Sequence, residues 1–165
     1  MNQATDNTSL LALQIFIDRL ESLTSTVEAI AETNEHFYEH PSYKLLDNVN
    51  KMIHDVVPKN PNTREYNLGK TLDKLDKDSK GNSNNYTSWK RIKKHLPSRY
   101  RLFFKHQTTP DQSIIYAWLN DEKTLRKDGA KTDVYATFLR MLKSGTVPNS
   151  WAELEKAAND LPEVG

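Results

Sequence analysis

The chain has 165 residues, a net charge of +1 and no cysteine, which excludes a disulfide framework, thiolate metal ligands and a thiol nucleophile. Hydrophobic residues make up 36% of the chain and charged residues 27%, a polar but globular composition that is unlike the composition of disordered proteins. No apolar run approaches the roughly 20 residues of a membrane span, and the N-terminus lacks a signal-peptide pattern. We therefore expect a single cytoplasmic domain over residues 1–165 that does not contact membranes.

The first half of the chain has helical periodicity. After a polar segment, residues 1–8, that we expect to be frayed, apolar residues spaced three and four apart predict a long helix from about residue 9 to residue 33. A second apolar face, with Ser42 as its N-cap, predicts another helix that ends before Pro58. Residues 73–85, rich in Asp, Lys, Ser, Gly and Asn, predict an exposed flexible loop.

The second half changes to the two-residue period of strands. Residues 89–94, 99–106 and 113–119 predict three strands, the last two joined as an antiparallel hairpin. Asn120 or Asp121 can cap a helical turn, Thr132 or Asp133 a helix over residues 134–143, and Ser150 a last helix. This order predicts an α+β fold in which helices pack on one face of a small antiparallel sheet.

Positive charge is concentrated in one part of the chain. Between Tyr86 and Lys131 there are eleven Lys and Arg residues and four acidic ones, a net charge of +7, which leaves −6 for the rest. Such a block predicts an anionic partner, with nucleic acid as the first choice. A solvated basic face without a ligand explains the same charge equally well.

Known catalytic motifs are absent from the sequence. It has no phosphate-binding glycine loop, no nucleophile elbow and no paired metal-binding histidines. The five histidines are dispersed, and we expect no metal ion and no cofactor.

Basic residues on the predicted sheet offer a surface for single-stranded RNA. Arg99, Arg101 and Lys105 alternate onto one strand face with Phe103 between them, and Lys93 lies on the preceding strand. Arginine binds phosphate in a bidentate manner, and an exposed Phe103 would stack an unpaired base. The competing interpretation is that Phe103 belongs to the core and the arginines line a wet sheet face.

Several segments together resemble the YhaV toxins of the RelE-like superfamily. The resemblance is dense from about Tyr86 to Leu154 and thinner back to about Phe37. The segments that carry it are Ser98-Arg99-Tyr100-Arg101-Leu102-Phe103-Phe104, Tyr116-Ala117-Trp118-Leu119-Asn120-Asp121-Glu122, Thr124-Leu125-Arg126, Lys131-Thr132-Asp133 with Tyr135, and Pro148 to Trp151, with weaker counterparts at His40-Pro41 and Leu68-Gly69-Lys70.

The resemblance implies a RelE-like fold with two N-terminal helices, a twisted antiparallel sheet and C-terminal helices. It implies a toxin that cleaves mRNA, often on the ribosome, without a metal ion. It also implies neutralisation by a PrlF-type antitoxin with an AbrB-like domain, through which the complex would reach operator DNA.

The same resemblance implies roles for individual residues. Arg101 and Arg126 would stabilise transition-state charge, Tyr135 would act in acid–base chemistry or stacking, and Lys131 is a further candidate catalytic residue. Lys93 would be a phosphate anchor, and Arg99, Lys105 and Phe103 remain the RNA-binding candidates of the strand face described above. Tyr135 could instead be a core residue at a helix start, and Asp121, Glu122 and Asp133 would be caps or ion-pair partners of the arginines.

Two other functions are alternatives. One is a non-catalytic module that binds RNA or the ribosome through the same basic face. The other is a helix-rich interaction protein that uses the apolar stripe of the first helix, and the net charge of +7 between Tyr86 and Lys131 argues against it.

Overall fold

The computed structural model describes residues 8–79, 85–108 and 111–163. Among these residues, no helix is both long and apolar enough to cross a membrane. The fold is α+β. In chain order the elements are β1 (Ser9–Ala12), α1 (Gln14–Thr33), α2 (Pro41–Lys51), α3 (Thr71–Leu75), β2 (Lys90–Ile92), β3 (Leu102–Gln107), β4 (Ser113–Leu119), α4 (Val134–Ser144), α5 (Trp151–Ala157) and β5 (Asn159–Asp160).

The sheet is mixed, and the prediction of a small antiparallel sheet was wrong. Its five strands have the order β2-β3-β4-β1-β5. The predicted hairpin of β3 and β4 is confirmed as antiparallel, but β1 pairs in parallel with β4. The start of the predicted first helix is therefore a strand. In that strand Leu10 packs on one face of the sheet and Leu11 on the other. Because both faces are apolar, the strand does not alternate between apolar and polar residues, and the sequence gives no two-residue pattern that would identify it.

Helices cover both faces of the sheet, not one face as predicted. On one face α1 and α2 pack over Leu102, Phe104 and Tyr116. On the other face α3, α4 and α5 pack over Phe103 and Ile115. Because successive side chains of β3 and β4 point to opposite faces, each of these two strands contributes to both cores.

Two helix starts differ from the prediction. α2 is capped by His40, whose Nδ1 accepts a 3.0 Å hydrogen bond from the Ser42 amide, so Ser42 is not the N-cap. After α2 the chain continues through a π-helical turn, Met52–Val56. Asp121 accepts bonds from Lys123 and Thr124, but the residues after it form turns and no helix. Asp133 and Ser150 do cap α4 and α5 as predicted.

The segment predicted as an exposed loop begins with ordered structure. Residues Thr71–Leu75 form α3, and both Asp73 and Asp76 are buried. Asp76 accepts a 2.9 Å bond from Lys143 of α4 and a 3.2 Å bond from the Tyr86 hydroxyl. Charged residues can be buried when they are paired, which composition alone does not reveal. Residues 80–84 of this predicted loop, and residues 1–7 of the predicted frayed N-terminus, lie outside the described residues.

Candidate active site

Tyr135 lies at the first turn of α4 and receives hydrogen bonds from two arginines. Its hydroxyl oxygen accepts a 3.0 Å bond from Nε of Arg91 on β2 and a 3.1 Å bond from Nε of Arg101, just before β3. The ring packs edge-on against Phe103, with the centroids 5.9 Å apart. Only 5% of Tyr135 is exposed. The core therefore fixes the ring, and the ring in turn orients two guanidinium groups.

A third arginine, Arg126, lies over the same ring. Its guanidinium carbon is 5.0 Å from the Tyr135 centroid, within range of a cation–π contact. Its Nη1 lies 2.7 Å from Oδ1 of Asp133. The hydrogen bond to Asp133 raises the pKa of Arg126. Burial would raise the pKa of Asp133, but hydrogen bonds from Arg126, Lys127 and Tyr135 outweigh it and lower that pKa. Arg126 is thus a fixed cation with about a third of its side chain exposed.

The buried side chain of Asn120 holds the neighbouring backbone in place. Its Oδ1 accepts a 2.8 Å bond from the Arg101 amide, while its Nδ2 donates to the carbonyls of Arg99 at 3.2 Å and Thr124 at 2.8 Å. The Asn120 carbonyl accepts bonds of 3.2 and 3.0 Å from Nε and Nη2 of Arg19 on α1. Arg99 has a φ of 74°, an uncommon conformation for a residue other than glycine. Arg99 and Arg101 are therefore positioned by a network and not by strand pairing alone.

A basic groove opens beside this cluster. It has a volume of about 510 Å³ and lies between α3, the turn after Arg126 and α4. Its cationic lining residues outnumber its acidic ones by five to two, and both acids are ion-paired with Arg126, Asp133 at 2.7 Å and Asp128 at 3.6 Å. The cations are Lys74, Lys77, Arg126, Lys131 and Arg140, and the acids are Asp128 and Asp133. We call this space the α4 groove. Its volume and its excess of cationic residues suit an anionic ligand.

The residues expected to act in catalysis come together in the structure. Arg101 and Arg126 both contact Tyr135, and Lys131 lines the α4 groove with Arg126 and Tyr135. Arg101 is 8% exposed and is not among the residues that line the groove. The expected ion-pair role of Asp133 is also what the structure shows.

The residues expected to bind RNA do not form one surface. Phe103 is completely buried and stacks on Phe138 with a centroid distance of 4.0 Å, so the expectation of an exposed stacking ring was wrong. Lys105 is 8% exposed, with Nζ 4.9 Å from the Trp89 ring, and burial lowers its pKa to about 8. Phe138 of α4 covers Phe103, and Lys105 donates a hydrogen bond to the Asn149 carbonyl, which lies between α4 and α5. Sequence alternation indicates neither contact.

The other two expected RNA-binding residues are exposed. Arg99 donates a 3.0 Å bond from Nε to the Arg126 carbonyl and accepts a 2.9 Å bond from the Arg126 amide. It therefore supports the backbone of Arg126. Lys93 follows β2 and is not among the residues that line the α4 groove.

Sequence reasoning overlooked Arg91 as a site residue. Arg91 pairs with Phe103 across β2 and β3, which places it on the same sheet face as Arg101, two residues before Phe103. Strand alternation places Arg91 on one face of its strand, but the pairing of that strand with β3 could not be read from the sequence. Lys74, Lys77 and Arg140 were overlooked as well, because only the packing of α3 on α4 brings them to the groove.

The histidines stay dispersed in the fold. Among the described residues, no three His, Asp or Glu side chains are grouped as a metal site requires. His95 lies 3.4 Å from Glu65, and His106 Nδ1 lies 3.2 Å from Asn62 Oδ1. Glu65 also accepts a 3.2 Å bond from Nη1 of Arg91 through its backbone carbonyl, so His95 lies near the edge of the arginine cluster.

Comparisons with known proteins identify the family of the chain. The chain is 33% identical over 159 residues to "Ribonuclease toxin YhaV" of Escherichia coli strain K12, and the match covers 96% of each chain. It is equally similar to "Toxin YhaV" of Escherichia coli O6:H1 and of O157:H7, with the same coverage. No solved structure matches it. Residues 10–159 match the model of a family described as a toxin with endonuclease activity, of a toxin–antitoxin system. The chain therefore belongs to the YhaV family of endonuclease toxins from toxin–antitoxin systems.

Proposed function

We propose that this toxin is an endoribonuclease that cuts mRNA and thereby stops translation and growth. The observation that carries the proposal is the arrangement of Arg91, Arg101 and Arg126 around Tyr135 at the wall of the α4 groove. Guanidinium groups bind phosphate oxygens through paired hydrogen bonds and stay charged at any working pH. The name of the Escherichia coli K12 relative, a ribonuclease toxin, supports RNA as the substrate.

In the proposed reaction the substrate supplies its own nucleophile. The ribose 2′-oxygen attacks the adjacent phosphorus, the bond from phosphorus to the 5′-oxygen breaks, and the proton lost by the 2′-hydroxyl is balanced by one gained at the 5′-oxygen. The products are a 2′,3′-cyclic phosphate and a free 5′-hydroxyl. Negative charge accumulates on the phosphorane oxygens, where fixed cations stabilise the transition state more than the ground state. No metal-bound hydroxide is needed for this reaction.

The residues differ in how directly they would act. Arg126 and Lys131 line the groove and would contact the scissile phosphate. Arg101 and Arg91 are held behind Tyr135 and would add positive potential there. The hydroxyl oxygen of Tyr135 already accepts hydrogen bonds from two arginines. Its remaining function is as a donor, and Tyr135 would therefore donate its O–H proton to the leaving 5′-oxygen.

The toxin belongs to a toxin–antitoxin system, so its neutralising partner is an antitoxin. We propose that this partner is of the PrlF type with an AbrB-like domain, and that the complex reaches operator DNA only through it. We also propose that the toxin acts in the cytoplasm on ribosome-associated mRNA and that its fold is RelE-like.

RNA cleavage by purified protein tests the proposal. Arg126→Ala should lower the cleavage rate about 10²–10³-fold, the usual effect of removing one hydrogen-bond donor that stabilises a transition state. Arg126→Lys should restore only part of the rate, because an ammonium group cannot bind phosphate in a bidentate manner. The control is Lys59→Gln, which also removes one positive charge but from an exposed residue outside the groove. A folded Arg126→Ala protein that cuts RNA at the parental rate would contradict the proposal.

A further inference from the structure

The α4 groove continues past Tyr135 along α4. A second cavity of about 390 Å³ adjoins it and reaches Lys143. The two cavities share four lining residues, which are Leu75, Lys77, Ala136 and Arg140. Together they form one channel, with α3 and the turn after it on one side and α4 on the other.

Cations line both sides of this shared stretch. Lys74 and Lys77 are exposed on the α3 side, and Arg140 is exposed on the α4 side. The Arg140 guanidinium donates a 3.1 Å bond to the Thr137 hydroxyl, a neutral partner. Arg140 forms no ion pair with an acidic side chain in the described part of the chain. Ala136 lies one helical turn before Arg140, roughly 6 Å along the axis, and its small side chain leaves room between the two walls.

An apolar side chain lies among these cations. Leu75 is 44% exposed, although it lines both parts of the channel. Exposed leucine is ordinary on a protein surface, but here it is flanked in sequence by Lys74 and is close to Lys77. A nucleic acid strand has both anionic phosphates and flat apolar bases. The two lysines match the phosphates, and Leu75 matches a base.

The basic stretch ends at Lys143. Lys143 is hydrogen-bonded to Asp76 and Asp78, so two carboxylates surround a single cation there. These carboxylates would repel a further phosphate. The channel therefore has cations for about one phosphate beyond the position of Arg126.

We infer that this stretch binds one nucleotide next to the cleavage position, with Lys74, Lys77 and Arg140 contacting its phosphate and Leu75 contacting its base. The inference rests on the proposed ribonuclease function, because it extends the same groove. An acidic segment of the antitoxin would also match the cations, but the stretch is continuous with the groove proposed to hold the scissile phosphate, which favours RNA.

Binding of a non-cleavable strand tests this subsite. The probe is a short fluorescent single-stranded RNA of mixed sequence with 2′-O-methyl groups throughout, which lacks the attacking hydroxyl. The variant Lys74→Gln/Lys77→Gln/Arg140→Gln should bind the probe at least about tenfold more weakly at about 50 mM salt. The slope of log binding constant against log salt concentration should also become shallower by about 0.7 for each phosphate that is no longer neutralised. The control, Lys44→Gln/Lys59→Gln, changes exposed lysines outside the channel and should bind within about twofold of the parent.

A second pair of measurements separates the base contact from the charge contacts. Leu75→Ser should weaken binding of the RNA probe but leave binding of inorganic polyphosphate unchanged. In cleavage assays the triple variant should raise KM and leave kcat near the parental value, because the residues around the scissile phosphate are intact.

The possible failures are distinct. If the triple variant binds and cleaves as the parent does while Arg126→Ala loses cleavage, the subsite is wrong and the proposed function stands. If the triple variant keeps its RNA affinity but escapes neutralisation, the channel belongs to the antitoxin and the inference is overturned. If the parent neither binds nor cuts RNA, both proposals fail.

Discussion

Asp133 accepts a hydrogen bond from Arg126 with one carboxylate oxygen, at 2.7 Å, and caps α4 through the Tyr135 amide with the other, at 3.0 Å. One buried side chain therefore couples the start of the helix that carries Tyr135 to the cation that lies over the Tyr135 ring. The Lys127 amide adds a third bond to the same carboxylate, at 2.6 Å.

Asp133→Asn should separate these two roles. Asparagine remains a good N-cap, so α4 should form, but the charge-assisted bond to Arg126 is removed. We expect a loss of about 1–3 kcal/mol in the free energy of unfolding, measured by urea denaturation, together with a reduced cleavage rate because Arg126 is no longer fixed. A variant with parental stability and rate would show that Asp133 does not hold Arg126 in solution.

Acid should destabilise the toxin through two carboxylates. Hydrogen bonding to Lys143 lowers the pKa of Asp76, and the bonds described above lower the pKa of Asp133. A group whose pKa is lower in the folded state stabilises the protein above its unfolded pKa, roughly 3.9 for aspartate, and this contribution is lost as the pH falls through the folded pKa. Unfolding free energies at about pH 6 and about pH 3 should therefore differ less in Asp133→Asn than in the parent. If the unfolding free energy changes equally between these two pH values in both proteins, Asp133 does not contribute to the acid sensitivity.

Tyr135→Phe should affect function more than folding. The ring keeps its contacts with Phe103 and Arg126, but Arg91 and Arg101 lose their common acceptor. We expect a loss of about 1–3 kcal/mol in the free energy of unfolding, because two guanidinium groups are left without this acceptor, and a cleavage rate lower by about 10²-fold. A substrate with sulfur in place of the bridging 5′-oxygen distinguishes the two roles of the hydroxyl. If Tyr135 is the proton donor, the variant should cut this substrate at close to the parental rate, because a thiolate leaves without being protonated. If Tyr135 only positions the arginines, the variant should stay slow on this substrate.

Asp76→Ala should lower the melting temperature by several degrees. The change leaves the Tyr86 hydroxyl without its partner and removes the tie between the α3 segment and Lys143 of α4. Asp78→Ala is the matched control, because Asp78 also bonds Lys143 but is 81% exposed, where ion pairs contribute little. Equal, small effects of both substitutions would mean that the α3 segment does not depend on Asp76.

Much of the fold could be predicted from the sequence because period and capping are local signals. The stripe of α1, the β3–β4 hairpin, the Asp133 cap and Gly145 at φ 83° after α4 all follow from residues close together in the chain. β1 was missed because its pairing with β4 joins residues about a hundred positions apart. No local pattern encodes that contact.

Residues of the candidate site were predicted only where they lie in segments that resemble the family. Arg101, Arg126 and Tyr135 lie in segments that resemble the family, and the fold brings them together. Phe103 and Lys105 were misplaced because alternation assigns a strand face without saying what covers it. Here α4 covers it with Phe138, which stacks on both Phe103 and Trp118.

End-group analysis of RNA cut by the purified toxin in the presence of EDTA tests the central claim most directly. Attack by the 2′-hydroxyl under the fixed cations of the α4 groove predicts fragments with a 2′,3′-cyclic phosphate and a 5′-hydroxyl. It also predicts that a 2′-deoxyribose at the scissile position blocks cutting and that chelation does not. Fragments that carry a 5′-phosphate, or activity that is lost with EDTA and restored by magnesium, would contradict the mechanism.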